Sequence, residues 1–117
     1  MNKKLSKEKC IPCEGNIKSL QNLQLLSYMD GAKKWLLIDR KKIEREVVLK
    51  NFKEALHFVN KVGKIAEDRG HHPEIYLHSF KKVKLTLYTH AINGLSKNDF
   101  IIAAKIDELV KLVKKGP

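Results

Sequence analysis

The chain switches hydrophobic period several times, and each switch marks an element. From Leu20 to Met29 the spacing Leu20, Leu23, Leu26 predicts a short helix with one buried stripe. The turn signal "DGAKK" at residues 30–34 ends it. Trp35 to Ile38 is an apolar run flanked by charge, and "DRK" at 39–41 reverses the chain into Ile43 to Leu49. There Ile43, Arg45, Val47 and Leu49 point one way and Glu44, Glu46 and Val48 the other, which predicts a hairpin with weak turn chemistry. "NFKE" at 51–54 starts a helix, with Asn51 as cap and Glu54 three residues on. Phe52, Ala55, Leu56, Val59, Val62 and Ala66 supply its stripe, and Gly70 suits the C-terminal cap after an end near Asp68.

Two more strands follow, Ile75 to Ser79 and Lys82 to Thr89. Val83, Leu85, Leu87 and Thr89 share one face of the second, and Lys82, Lys84, Thr86, Tyr88 and His90 the other. "INGL" breaks the alternation. Ser96 and Asp99 form a second capping box, before a helix whose apolar side is Ile102, Ile106, Leu109, Val110 and Val113. The order is helix, two strands, helix, two strands, helix. The expected class is α+β: a two-layer, four-stranded antiparallel sheet with helices packed on one face, which buries every stripe. Residues 1–18 read as a polar N-terminal arm and residues 19–117 as a single domain.

Composition narrows the function. Apolar residues at 43% exclude a disordered polar chain, yet no run is long enough to cross a bilayer. Lys3 and Lys4 precede no apolar signal core, so the cytoplasm is the default expectation. The net charge of +11 comes almost wholly from lysine; Arg40, Arg45 and Arg69 are the arginines. Such a field attracts anions in general, whereas base readout and bidentate phosphate clamps favour arginine. Nucleic-acid binding is therefore disfavoured. Both cysteines lie in "CIPC", Cys10 to Cys13, half of a four-ligand zinc site with no second pair nearby. Two reduced cysteines in the arm is the preferred account; a zinc site shared between subunits is the alternative.

The chemistry-bearing residues are histidines. His71 and His72 fall between a helix end and a strand, and Pro73 biases His72 towards extended backbone. Adjacent side chains in an extended stretch point in different directions, so the two imidazoles do different jobs. His90 closes a strand on its polar face, just before a glycine-containing loop. Histidine gives or takes a proton near neutral pH, which suits it to acid or base work. Glu67 is close enough in sequence to orient an imidazole. His57 and His78 are assigned no role. No phosphate-binding loop or nucleophile elbow competes.

These residues carry a resemblance. Trp35, "EDRGHHPEI" at 67–75, "KVKLTLYTH" at 82–90 and "GLSKND" at 94–99 make the chain similar to the pterin-4a-carbinolamine dehydratase family, from roughly Leu20 to Leu112. The resemblance implies that His71, His72 and His90 are the active-site histidines, with substrate-binding or supporting roles for Glu67, Trp35, Pro73 and Thr89. It implies a homodimer or homotetramer acting on a small-molecule 4a-hydroxytetrahydropterin, dehydrated to the quinonoid dihydropterin during pterin cofactor recycling. That reaction moves no electron and attaches no nucleophile, so neither metal nor redox cofactor is needed. The chain departs from the family's usual residues at Lys81, Ala91 and Asn93, which bears on substrate fit more than on fold. The rival readings are a non-enzymatic module that stabilises a partner's oligomeric state, and a small basic nucleic-acid-binding domain on an open sheet.

Overall fold

Period-two alternation becomes a sheet. A computed structural model describes residues 5–7 and 22–115. Its strands β1 (Leu36–Ile38), β2 (Lys42–Val48), β3 (Glu74–His78) and β4 (Lys82–Leu87) form one antiparallel sheet in the order β1-β2-β4-β3. The register sets Val47 opposite Val83, Arg45 opposite Leu85 and Ile75 opposite Leu85, so the apolar sides of the three long strands coincide. Ile43, Val47, Val83, Leu85 and Leu87 are buried there. Both hairpins turn through two consecutive non-glycine residues at positive φ, Asp39 with Arg40 and Ser79 with Phe80. That handedness matches the twist of paired strands, at a cost of about 1–2 kcal/mol per residue with a side chain. The lack of glycine at these four positions is why the sequence signal for the turns is weak.

Three helices, α1 (Asn22–Asp30), α2 (Phe52–Arg69) and α3 (Lys97–Lys115), cover the apolar face and complete the two-layer α+β architecture. Asn51 caps α2 by accepting the Glu54 N–H at 2.9 Å. Gly70, at φ 65°, ends it, with its N–H directed at the carbonyls of Ala66 and Glu67. The buried residues of α2 are Ala55, Phe58, Val62 and Ala66, so the expected stripe is corrected: Phe52 and Leu56 are exposed and Phe58 is core. At about 100° per residue, Phe52 and Leu56 sit about 60° and 100° round from Ala55, on the flank of the face that meets the sheet. Burying Phe58 contributes about 1.5–3 kcal/mol.

The stripe of α1 also differs from expectation. Leu23 and Leu26 are 82% and 64% exposed, while Leu25 is buried and Tyr28 and Met29 pack against the core. Tyr28 stacks on Phe100 of α3 with centroids 5.0 Å apart, which fixes the rotation of α1 about its axis. The first turns of α3 are buried nearly all round, from Phe100 to Ala104. Leu5 packs against the core, and buried Ser6 donates its hydroxyl to Glu108 at 2.6 Å. The remainder of the expected arm, including Cys10 and Cys13, lies outside the described residues, as does Leu20. No described helix is long and apolar enough to cross a membrane.

Candidate active site

Two backbone devices place the histidines. At the end of α2, the left-handed turn at Gly70 lets the His71 N–H reach the Ala66 carbonyl at 3.2 Å, so His71 is pinned to the helix that precedes it. Half-buried Pro73 then leads the chain into β3. On the other side, β4 stops at Leu87, earlier than expected, and Thr89 forms an isolated antiparallel bridge with Gly94. The bridge closes a small loop in which His90 opens a single 3₁₀ turn, His90–Ile92, and does not end the strand itself. Asn93 takes the left-handed conformation that the loop needs, at φ 49°.

These devices bring His71, His72 and His90 to one cleft of about 450 Å³, lined also by Gly70, Tyr88 and Ala91. The three rings have different settings. His71 is 5% exposed, and its Nε2–H donates to Oδ1 of Asp99 at 2.6 Å. Asp99, in the first turn of α3, is fully buried. Its second oxygen, Oδ2, accepts the Thr89 hydroxyl at 2.8 Å and the Ser96 N–H at 2.9 Å. Thr89 spends its single proton on Asp99, so the Ser96 hydroxyl, 2.7 Å away, donates to Thr89. A buried carboxylate is tolerated when its lone pairs are matched in this way and the positive end of a helix lies beside it. The carboxylate in turn selects the His71 tautomer with the proton on Nε2.

His72 and His90 are exposed. Glu67, in the last turn of α2, meets His72 Nε2 at 3.0 Å. His90 lies against the Tyr88 ring, with centroids 4.1 Å apart and planes tilted by 45°. Lys42 completes the stack from β2, its Nζ 4.7 Å from the centroid of Tyr88.

The other residues singled out from the sequence fall elsewhere. Thr89 is fully buried behind the cleft and touches Asp99; Pro73 follows His72 without lining the cleft. Trp35 is not at the cleft. It is buried in the core and donates its indole N–H to Asp107 at 2.8 Å, where Arg45 also binds. Burial pushes the Asp107 carboxyl above its ordinary range, against the opposing pull of the Trp35 hydrogen bond, Arg45 and Lys111. A second cleft of about 430 Å³ lies beside this group, lined by lysines, Arg45 and three acids, and contains no histidine. His57 faces Glu54, and His78 bonds Glu46 at 2.5 Å and stacks on Tyr76. Among the described residues no group of three or more His, Cys, Asp or Glu side chains is arranged to hold a metal ion.

Two residues of the site go unread in the sequence. Asp99 is taken there for a capping residue, which it is, and its second oxygen hides a second task. Tyr88 shares a strand face with His90, and that alternation is the one signal for it.

An exposed imidazole and a buried one held by a carboxylate, lining one cleft, can move protons to and from a bound molecule. Comparison with known proteins specifies the family. The sequence matches the family described as "Pterin 4 alpha carbinolamine dehydratase" over residues 18–109. It is 45% identical over 105 residues to a protein of Alkaliphilus metalliredigens named "Putative pterin-4-alpha-carbinolamine dehydratase", covering 89% of this chain and 94% of that one. It is 43% identical over 111 residues to "Pterin-4-alpha-carbinolamine dehydratase 2, mitochondrial" of Arabidopsis thaliana, covering 90% of this chain and 58% of that longer one. The fold is similar to a crystal structure titled "transcriptional coactivator/pterin dehydratase" from Brucella Melitensis, with a TM-score of 0.74 at 28% identity, over 80% of this chain and 99% of that one. A match that runs through both hairpins and into the last helix, with relatives that span most of the chain, makes this protein a member of the pterin-4a-carbinolamine dehydratase family.

Proposed function

We propose that this protein dehydrates a 4a-hydroxytetrahydropterin to the quinonoid dihydropterin, as a hydro-lyase in pterin cofactor recycling. The observation that carries this reading is that three imidazoles border one cleft in a chain of this family. The reaction breaks the C4a–O bond. One proton goes to the departing hydroxyl, which leaves as water, and one is removed from the adjacent ring nitrogen, N5. No oxidant or reductant takes part.

In this reading His71 and His90 divide the acid and base roles, and His72, braced by Glu67, binds and orients the pterin. Asp99 is a positioning residue, fixing the ring plane and tautomer of His71. The test is the dehydration rate of a chemically generated 4a-hydroxytetrahydropterin, followed against pH in single alanine variants. Loss of a proton-transfer group should lower kcat by about 10²–10⁴-fold for His71→Ala and His90→Ala. His72→Ala should act mainly on KM. Unchanged turnover in both the His71 and His90 variants refutes the assignment.

The protein is further proposed to work as a homodimer or homotetramer, a reading supported by the exposed Leu23 and Leu26 on α1. The same ridge supports the second reading, a surface for another protein. That reading predicts an interaction that persists when His71 and His90 are both replaced.

A further inference from the structure

Lys42 lies against Tyr88, one of the residues that line the candidate cleft. It opens β2, and the pairing of Ile43 with Leu87 makes it the cross-strand neighbour of Tyr88. Its ammonium lies 4.7 Å from the centroid of the Tyr88 ring, and that ring also contacts His90, with centroids 4.1 Å apart. A cation held on an aromatic face is oriented without being neutralised. Among the described residues no carboxylate forms an ion pair with Lys42.

Three of the acids nearby are engaged, and a fourth, Glu74 on β3, is exposed opposite Thr86. Glu67 is on His72, Asp99 is on His71, Thr89 and Ser96, and Glu44, the next residue of β2 on that face, accepts the Thr86 hydroxyl at 3.3 Å. The lining of the cleft adds imidazoles, a phenol and the Ala91 methyl, and no acidic side chain. The whole chain carries a formal charge of +11, so the long-range field has the same sign as the rim. We infer that the cleft takes pterins whose side chain carries an anionic group, a carboxylate or a phosphate, and that Lys42 is the residue that selects for it. The inference rests on the dehydratase reading for the pterin itself; the charge preference is its own addition.

Binding and turnover together test it. Equilibrium titration of the full chain uses three stable 7,8-dihydropterins whose 6-substituents are a neutral alkyl group, a carboxylate and a phosphate ester. The wild-type protein should bind at least one anionic ligand about tenfold more tightly than the neutral one, the effect of one charge-assisted hydrogen bond. The preference should shrink in about 0.5 M salt, where the screening length falls to a few ångströms. Lys42→Met should remove the preference, Lys42→Arg should keep it, and Lys42→Glu should reverse it. The better-bound anion names the source. Equal affinity for all three ligands, or a preference that survives Lys42→Met, overturns the inference. Turnover of the matching 4a-hydroxytetrahydropterins separates the two claims. Dehydration without any charge preference refutes the selection by Lys42 alone, and a charge preference without dehydration refutes the dehydratase reading alone.

Discussion

Replacing Asp99 with asparagine tests the proposed site with a change of very few atoms. The carboxylate makes three directed contacts: Nε2–H of His71 to Oδ1, and the Thr89 hydroxyl and Ser96 N–H to Oδ2. An amide has one acceptor oxygen and one donor nitrogen. The Ser96 N–H cannot rotate or reverse, so the amide oxygen must stay on that side and the amide NH₂ must face His71. Nε2 then has to accept, and the ring proton moves to Nδ1, the tautomer opposite to the one a carboxylate selects. The amide also no longer steadies a positive imidazole. A hydrogen bond to a charged group contributes about 1.5–3 kcal/mol, equivalent to about 10–150-fold in rate if it acts in the transition state. We therefore expect Asp99→Asn to lower kcat by about 10²-fold, with KM changed much less. The assay is stopped-flow dehydration across pH 6–9, paired with a thermal melt by circular dichroism to show that the variant is folded. A folded Asp99→Asn protein with kcat within about threefold of wild type would falsify the positioning role, because a residue with capping duty alone has no reason to change the pH–rate profile.

Three further outcomes follow from the geometry. Gly70→Ala should cost about 1 kcal/mol in urea denaturation purely through its φ of 65°, since an added Cβ meets nothing within 4 Å; Gly70→Asn should cost less. For Asp107, burial holds the folded-state pKa above the ordinary value of 3.8, so the folded state binds more protons than the unfolded one just above that pH. The stability that this group contributes is full below about pH 3.8 and is lost as pH rises through the folded value; the stability difference between wild type and Asp107→Asn should therefore fall from pH 3.5 to 6.5, and a rising difference would contradict the sign. Replacing both Leu23 and Leu26 with serine should lower the sedimentation mass of the assembly while leaving the monomer melt nearly unchanged, because both side chains are exposed in the single chain.

The sheet was readable because alternation leaves a strand two choices, and charge at one face decides between them. Lys82, Lys84 and Thr86 against Val83, Leu85 and Leu87 leave no ambiguity. Helix rotation was less readable. Where apolar residues exceed what one stripe can bury, as with Phe52, Leu56 and Phe58, composition gives no ranking; the packed helix, anchored at Asn51 and Gly70, buries Phe58 alone of the three. In α1 a single ring contact, Tyr28 on Phe100, chose Leu25 over Leu23 and Leu26. The histidine motif was conspicuous, since adjacent imidazoles ahead of a proline have few structural uses. Its carboxylate partner was not, because an acid three residues after a serine at a helix start is already explained by capping. Resemblance alone points Trp35 towards the site, while its indole N–H answers to Asp107.

The single carboxyl group at Asp99 joins chain segments 28 residues apart on one side and 10 on the other. A fragment ending after β3 would own both neighbouring imidazoles, with Glu67 to meet His72, and still lack the carboxylate that holds His71. In the proposed reading, competence for ligand requires the last helix to be docked, so loss of ligand affinity on warming or in denaturant should report the melting of the entire molecule, with no separate fraying of a local loop ahead of it.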